Sequence, residues 1–197
     1  GREAPAGSGL MTTLLPCPLT ICGLEELDGF ARVGVSHVLS ILDPADPEPP
    51  VFQRFRPHRR TSLRFHDVVT PVEGHQQPTE ADVARILEFG RDTASSEPLH
   101  LLVHCYAGVS RSTAAALILM AQASPGREAA LFDALIELRP RAWPNSRMVG
   151  LADDLLGCNG RLKAALQEHY RATLTRAPAV AAMIRGIKHR AHEVPEG

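Results

Sequence analysis

The stretch Leu99–Thr113, LHLLVHCYAGVSRST, decides the fold of this 197-residue chain. It opens with an apolar run that is typical of a strand buried on both faces of a mainly parallel sheet. It continues into Thr113–Met120, an alanine-rich run that favours a buried helix with Ser110 or Ser112 as its N-cap. Cys105 is therefore predicted at the carboxyl end of a strand, facing the positive end of a helix.

Five residues separate Cys105 from Arg111, and a loop of this length can curl with its backbone N–H groups pointing inward as an anion-binding nest. Gly108 permits the unusual φ angle that the curl needs. Arg111 returns its guanidinium to the same cavity, where two parallel donors match two oxygens of a tetrahedral oxyanion such as phosphate. The predicted phosphate-binding residues are Tyr106, Ala107, Gly108, Val109, Ser110 and Arg111.

The same positive field acts on the sulfur of Cys105. A helix N-terminus, inward amides and an arginine all favour the thiolate, so we predict that Cys105 is a nucleophile at neutral pH. The hydroxyl of Ser112 would donate a hydrogen bond to the sulfur when it leaves a covalent intermediate, and His104 would orient the loop from behind. The alternative is a buried, inert cysteine, but a strand, cysteine, glycine, arginine, serine and helix in this register are an uncommon combination.

His104-Cys105, five residues and Arg111-Ser112 together resemble the signature of the cysteine-dependent protein tyrosine phosphatases. The AGVSRS version is most similar to the dual-specificity-like branch, including its bacterial members, and the resemblance extends from about Leu19 to about Leu174. It implies a three-layer α/β domain with a mostly parallel central sheet flanked by helices. It also implies hydrolysis of phosphotyrosine, with phosphoserine and phosphothreonine as further substrates, through a cysteinyl-phosphate and without a cofactor.

Breaking a phosphate ester also needs a proton for the departing oxygen, and a carboxyl group on a movable loop can deliver it. Asp67 follows a predicted strand and is our candidate for this acid. The resemblance implies an aspartate some three dozen residues before the cysteine, which fits Asp67, although His66-Asp67 replaces the Trp-Pro-Asp of some members. Asp43 also follows a strand and is the competing candidate, with a structural role in a turn as its simpler explanation.

Asn145 is a candidate supporting residue. The segment around it resembles the helix pair behind the phosphate loop of the family, where such an asparagine supports the loop backbone. An N-cap of the next helix explains Asn145 equally well. His66, Asp67 and His75 suggest a metal site, but no further ligands at suitable spacing accompany them, so we predict neither a metal nor a cofactor.

The expected partner is a phosphoprotein or phosphopeptide, with phosphate or another oxyanion in the site. The loop carries no lysine, whereas the resembling lipid phosphatases use basic residues there, which disfavours a phosphoinositide. One concentrated basic cluster precedes a strand and comprises Arg54, Arg56, His58, Arg59 and Arg60. It either attracts the anionic substrate over a distance or is a solvated loop that balances nearby acids.

The length and the 44% hydrophobic content fit one buried domain. We divide the chain into a flexible N-terminal segment (1–15), a phosphatase domain (16–175) and a C-terminal helix or tail (176–197). The first nine residues lack the pattern of a secretory signal. The apolar run Val180–Ile184 predicts a terminal helix packed on the domain rather than a membrane anchor.

A net charge of −1 indicates no general attraction to nucleic acid or to an anionic membrane. No apolar run is long enough to span a bilayer. The four cysteines show neither the pairing nor the density of a disulfide scaffold, which indicates a reducing compartment. We therefore predict a cytoplasmic monomer that contacts neither nucleic acid nor membrane.

Two other functions compete with the hydrolase. A phosphopeptide-binding pseudophosphatase would keep the pocket and lack a working acid. A sulfurtransferase of the rhodanese type also uses a cysteine loop opposite a helix start, but the histidine before Cys105 and the Arg-Ser pair after it favour phosphate.

Elsewhere in the chain the hydrophobic pattern predicts further elements. Strands are predicted over 19–22, over 35–42 and from 61. Helices are predicted from 79, from 126, over 144–156 and over 159–174.

Overall fold

The computed structural model describes residues 14–95 and 100–196. Its strands form one parallel sheet in the order β1-β4-β2-β3, namely β1 (Leu19–Cys22), β2 (His37–Leu42), β3 (Arg59–Arg64) and β4 (Leu101–His104). Every residue of β2 and β4 is buried, as expected for a parallel sheet covered on both faces. The predicted α/β class with a mostly parallel central sheet is confirmed.

The helices follow the predicted pattern. They are α1 (Glu80–Thr93), α2 (Arg111–Ala123), α3 (Glu128–Leu138), α4 (Ser146–Leu155), α5 (Arg161–Arg176) and α6 (Pro178–Gly186), with short 3-10 helices at Leu24–Phe30, Pro50–Arg54 and Ala191–Glu193. The start of α1 is fixed by a capping box. The Asp82 carboxylate accepts a hydrogen bond from the Thr79 amide at 2.9 Å, and the Thr79 hydroxyl accepts one from the Asp82 amide at 3.3 Å.

The central helix α2 is buried from Arg111 to Ala121. Its alanines have little volume, so neighbouring elements pack closely around it. The helix contacts β1 and β4 on the sheet and α1, α3 and α4 around it. The start of this helix, which carries the predicted site residues, is thus held on every side by the core.

The ends of the predicted segments differ in detail from the structure. β2 begins at His37, two residues later than predicted, where Ser36 uses both its amide and its hydroxyl to bind the backbone of His100. Pro98 and Leu99, at the start of the predicted central strand, lie outside the described residues, as do residues 1–13. Leu14 and Leu15 are buried, so packed structure begins before the predicted domain boundary at residue 16.

The C-terminal segment packs on the same core as the rest of the chain. Ala181 and Ile184 of α6 and the later Val194 are buried and belong to the main hydrophobic cluster. No helix in residues 14–95 and 100–196 is long and apolar enough to cross a membrane. The predicted terminal helix therefore lies against the domain.

Candidate active site

The loop that follows β4 lies at the carboxyl edge of the sheet. Cys105 comes directly after the strand, and Arg111 is the first residue of α2. Ser110 occupies the N-cap position, but its side chain makes no capping hydrogen bond. It instead donates to Asp67 at 2.7 Å, so this serine binds a neighbouring loop rather than its own helix.

The carbonyl oxygens of this loop point outward. Each accepts a hydrogen bond from outside the loop, and the pairs are Tyr106 with the Leu24 amide (2.9 Å), Ala107 with Arg141 Nη2 (3.0 Å), Gly108 with Arg139 Nε (2.8 Å), Val109 with the Trp143 amide (2.8 Å) and Ser110 with the Asn145 amide (3.3 Å). A planar trans peptide unit directs its C=O and the following N–H to opposite sides. The amides of residues 107–111 therefore point to the inner side of the loop, as in an anion-binding nest.

Gly108 has a φ of +67°, the positive angle predicted from the sequence. A Cβ atom at this position would lie 2.6 Å from backbone atoms of Cys22 and Gly23 at the end of β1. The loop thus presses against the neighbouring strand at a distance that allows no side chain. Glycine is required here both for the backbone angle and for the close approach.

Arg111 is buried, and its Nη1 donates to the Asp43 carboxylate at 2.5 Å and to the Phe65 carbonyl at 2.6 Å. Asp43 follows β2, so the competing acid candidate is the counter-ion of Arg111. The Nε of Arg111 is also buried and has no hydrogen-bond partner within residues 14–95 and 100–196. An oxyanion in the loop would supply the acceptor that this N–H lacks.

Cys105 and Ser112 lie side by side. The Cys105 sulfur is 3.2 Å from the Ser112 hydroxyl oxygen, within hydrogen-bond distance, and the serine is completely buried. Cys105 lines a cavity of about 430 Å³ together with the residues of the loop, Asp43 and Asp67. The structure brings the predicted nucleophile, its arginine and both candidate aspartates to one cavity.

Asp67 lies against the predicted phosphate-binding loop, residues 105–111, which we call the phosphate loop. Both of its carboxylate oxygens accept hydrogen bonds. Oδ1 accepts from the Ser110 hydroxyl at 2.7 Å and from Asn145 Nδ2 at 2.9 Å, and Oδ2 accepts from Arg190 Nη1 at 2.9 Å. Burial by itself would raise the pKa of Asp67. The guanidinium groups of Arg190 and Arg111 and the two hydrogen bonds to Oδ1 outweigh burial, so the pKa lies below its ordinary value.

Solved structures share this architecture. Human tyrosine phosphatase-like serine/threonine/tyrosine-interacting protein matches at 19% identity and a TM-score of 0.56, over 74% of this chain and 95% of that one. Human DUSP28 matches at 17% identity and a TM-score of 0.51, over 72% of this chain and 92% of that one. The chain has the dual-specificity phosphatase fold. A mouse putative dual specificity phosphatase complexed with zinc tungstate also matches, at 15% identity and a TM-score of 0.52, over 84% of this chain and 96% of that one.

Neither a protein-family model nor a curated protein matches this sequence. The dual-specificity phosphatase fold is therefore shown by the course of the chain, and it agrees with the resemblance carried by the Cys105–Arg111 motif.

Within the phosphatase fold, His104 holds the end of the central strand. Its Nε2 is 2.6 Å from the Ser40 hydroxyl on β2, and its Nδ1 is 3.5 Å from the Cys105 carbonyl. Burial lowers the pKa of His104 to about 4, so the ring is neutral at pH 7. His104 thus lies at the end of β4, directly before the loop, and its orienting role stays a prediction.

Asn145 combines the two roles that the sequence left open. Its side chain accepts from the Met148 amide at 3.0 Å as the N-cap of α4, while its own backbone amide binds the Ser110 carbonyl of the loop. The side-chain nitrogen also donates to Asp67 and to the Val68 carbonyl, at 2.9 and 3.3 Å. This third role, holding the loop that carries the candidate acid, was not predicted.

Arg139, at the end of α3, ties the phosphate loop to the start of the domain. It donates to the Gly108 carbonyl and to both carboxylate oxygens of Glu26, at 2.8 and 2.6 Å. The hydrogen bond from Arg139 lowers the pKa of Glu26 to about 2. The sequence does not predict these contacts of Arg139, because its partners Gly108 and Glu26 lie in distant segments.

The C-terminal segment forms one wall of the cavity that Cys105 lines. The side chains that it contributes to the lining are Met183, Ile184, Ile187, His189 and Arg190. Tyr106 of the loop is 67% exposed and also lines the cavity. Arg190 is not among the site residues that the sequence predicts, although it lines the cavity and binds Asp67. A usable local signal was its spacing from Glu193, since the two form an i,i+3 ion pair at 2.7 Å.

His66 and His75 also line the cavity, with ring centroids 4.7 Å apart. In the part of the chain that the structure describes, no group of three histidine, cysteine, aspartate or glutamate side chains is arranged to hold a metal ion. The charges in the basic cluster are partly neutralised locally, because Arg54 pairs with Asp28 and Arg60 with Glu48. These pairs favour the local explanation of the cluster over attraction of substrate.

Proposed function

We propose that this protein hydrolyses phosphate monoesters on phosphoproteins, with phosphotyrosine as the main substrate and phosphoserine and phosphothreonine as further substrates. One observation supports the proposal above all: Cys105 and Arg111 line one cavity. The carbonyls of the loop between them are bound from outside, which directs its amides toward this cavity. A thiol beside a preformed oxyanion site is suited to nucleophilic attack on phosphorus. The dual-specificity phosphatase fold supports this assignment.

In the first step, the Cys105 thiolate attacks phosphorus in line with the ester oxygen. An S–P bond forms while the P–O bond to the tyrosine or serine oxygen breaks. The inward amides and Arg111 hold the three equatorial oxygens as their charge redistributes, and Asp67 donates a proton to the departing oxygen. The Nε–H of Arg111, which is buried and has no hydrogen-bond partner among the described residues, is one of the donors that the substrate would satisfy.

In the second step, water attacks the phosphorus of the cysteinyl-phosphate. Asp67, now a carboxylate, takes the proton from this water while the S–P bond breaks and phosphate leaves. The hydroxyl of Ser112, 3.2 Å from the sulfur, stabilises the thiolate as it departs. Every proton and electron pair in the cycle is thus assigned to the substrate, water or a side chain of the cavity.

The decisive experiment compares Cys105→Ser with Cys158→Ser, a change of a second buried cysteine that does not line the cavity. Cys105→Ser should abolish turnover of p-nitrophenyl phosphate and of a phosphotyrosine peptide yet still bind phosphate or vanadate. Cys158→Ser should keep its activity. Acid quenching during turnover, followed by peptide mass spectrometry, should locate the phosphate on Cys105. Normal turnover by Cys105→Ser would contradict the mechanism.

A phosphopeptide-binding pseudophosphatase is the second candidate, and the state of Asp67 favours it. Both oxygens of this carboxylate are engaged and its pKa is lowered, which are unfavourable conditions for a proton donor. Calorimetric binding of a phosphotyrosine peptide, without turnover of p-nitrophenyl phosphate anywhere between about pH 4 and 8, would establish this alternative. The dual-specificity phosphatase fold of the matched structures favours a phosphatase over the sulfurtransferase alternative.

We also propose that the protein acts as a cytoplasmic monomer, with a phosphoprotein as its partner. A reduced Cys105 is needed for attack, which fits a reducing compartment. Light scattering coupled to size-exclusion chromatography should give a mass near 21.3 kDa for the 197-residue chain. A dimer mass would contradict this part of the proposal.

A further inference from the structure

We propose that Arg190, in the C-terminal segment, is a positioning residue of the active site: it holds the Asp67 carboxylate against the phosphate loop and sets the pH range in which Asp67 carries a proton. The inference rests on the proposed function, in which Asp67 is the proton donor. It assigns a role in the proposed reaction to the segment that follows α6.

The geometry of Arg190 is that of a fixed bridge. Its side chain is 1% exposed, and one nitrogen, Nη1, donates both to Asp67 Oδ2 at 2.9 Å and to the Ser110 hydroxyl at 2.7 Å. Its Nε donates to Glu193 at 2.7 Å. A single guanidinium therefore joins the candidate acid to the last residue of the phosphate loop before Arg111.

Glu193 holds Arg190 in this orientation. The glutamate is buried, and Oε1 accepts from the Ser146 backbone amide at 3.1 Å. Oε2, which binds Arg190, also accepts from the indole N–H of Trp143 at 3.3 Å. Trp143 in turn stacks on Tyr170, with ring centroids 4.2 Å apart. The guanidinium is consequently anchored to the segment behind the phosphate loop, so its position relative to Asp67 is set by the packed core.

The charges around Asp67 determine what Arg190 does to its protonation. Arg190 and Arg111 are the cations that lower the pKa of Asp67, and burial is the effect that raises it. The pKa of Tyr170 is raised well above its ordinary value, so this phenol stays neutral. The other titratable groups of the cavity, or of the network behind it, are Asp43, His66, His75, Cys105, His189 and Glu193.

Removing the charge of Arg190 should therefore raise the pKa of Asp67, because burial then acts against fewer opposing charges. In the native enzyme, the low pKa confines the protonated form of Asp67 to acidic solution. The value of kcat/KM reports groups in the free enzyme and should fall as Asp67 loses its proton. Loss of Arg190 should move this alkaline limb to higher pH while it lowers the maximum, because the carboxyl group is no longer held in place.

The experiment measures kcat/KM against pH for p-nitrophenyl phosphate and a phosphotyrosine peptide. Arg190→Met should move the alkaline limb upward by about one pH unit. Arg190→Lys keeps the positive charge but loses the paired N–H donors of the guanidinium, so it should move the alkaline limb less, in the same direction. If Arg190→Met fails to fold, Arg190→Lys provides the test. Arg185→Met is the matched control, since Arg185 is an exposed arginine of α6 outside the cavity lining, and its profile should equal that of the parent.

A double variant separates positioning from packing. Asp67→Asn should remove the alkaline limb, which assigns that limb to Asp67 within a set of coupled groups. Arg190→Met added to Asp67→Asn should then cause no further change in the shape of the profile. If Arg190→Met lowers activity while the alkaline limb stays in place, Arg190 is a packing residue and the inference is overturned.

A direct titration makes the inference independent of turnover. The carboxyl carbon of Asp67, followed by carbon-13 NMR in the full chain, should titrate below the ordinary aspartate range in the parent and higher in Arg190→Met. An inactive parent would overturn the proposed function, while this titration would still decide the role of Arg190. An identical midpoint in the parent and Arg190→Met would overturn the inference even if the parent were fully active.

Discussion

At the scale of single residues, the two aspartates at the carboxyl edge of the sheet have different partners and therefore different expected roles. Asp43 pairs with Arg111, the residue proposed to bind phosphate oxygens. Asp67 binds Ser110, Asn145 and Arg190 beside the same cavity. In the proposed mechanism, Asp43 therefore orients a binding group, and Asp67 is the group that exchanges a proton with the substrate.

We predict that Asp67→Asn lowers kcat for a phosphotyrosine peptide by about 100-fold or more, the usual effect of losing a general acid. The loss should be smaller for p-nitrophenyl phosphate, because nitrophenolate leaves without needing a proton as much as tyrosine does. Steady-state kinetics on the two substrates measures this difference. Equal losses on both substrates would argue against proton donation by Asp67.

Asp43→Asn should produce a different kinetic pattern. Without its counter-ion, Arg111 keeps its bond to the Phe65 carbonyl but is less firmly oriented, so KM should rise about 10-fold with a smaller change in kcat. The same steady-state measurements test this, with vanadate inhibition as a check on oxyanion binding. A large fall in kcat that depends on the leaving group would instead identify Asp43 as the acid.

At the scale of elements, the phosphate loop is shaped from outside. Its carbonyls are bound by Leu24, by Arg139 at the end of α3 and by the segment before α4, and this directs its amides to the inner side. Arg139 binds the Gly108 carbonyl of the loop and also Glu26, and so connects the end of α3 to the 3-10 helix Leu24–Phe30. The anion site is consequently a property of several elements rather than of the loop alone.

Gly108→Ala should disrupt this element. The added Cβ combines a positive φ with a backbone approach of 2.6 Å, so we expect a loss of about 1–3 kcal/mol in unfolding free energy and a large fall in kcat/KM. Urea unfolding and kinetics together measure the effect.

Gly126→Ala is the matched control, since Gly126 also has a positive φ, +78°, but a Cβ there meets nothing within 4 Å. It should cost about 1 kcal/mol from backbone strain, with unchanged kinetics. If Gly108→Ala were as active as Gly126→Ala, the close approach of the loop to β1 would have no functional importance.

At the scale of the whole molecule, two buried histidines make stability depend on pH. Burial lowers the pKa of His104 and of His169 to about 4, while the unfolded chain titrates near 6.5. Between these values the unfolded state binds more protons, so stability is present above about pH 6.5 and is lost as the pH falls. From pH 7 to pH 5 the two residues together should cost about 4 kcal/mol.

Urea unfolding at pH 7 and pH 5 tests this prediction, with His169→Gln as the informative variant. Glutamine can donate to the Ala142 carbonyl that His169 contacts at 2.9 Å, but it does not titrate. The variant should lose about half of the pH dependence. An undiminished slope would show that other groups cause the acid sensitivity.

The sequence predicted those parts of the site that lie in one continuous stretch. Cys105, Arg111 and Ser112 are fixed relative to one another by a strand, a short loop and a helix, so their spacing determines their geometry. Arg190 contacts Asp67 across 123 positions, and no local pattern records such a contact. The pairing of Asp43 with Arg111 escaped prediction for the same reason, since it depends on which strands lie side by side in the sheet.

The contact between Arg190 and Asp67 also has a consequence for biosynthesis. A ribosome makes the chain from its N-terminus, so the nucleophilic cysteine emerges long before residue 190 is added. During that interval the nascent polypeptide contains Cys105 but lacks the Arg190 side chain that binds Asp67. If the proposed mechanism holds, full activity should therefore arise late, once the segment around residue 190 has been translated and has packed against Asp67.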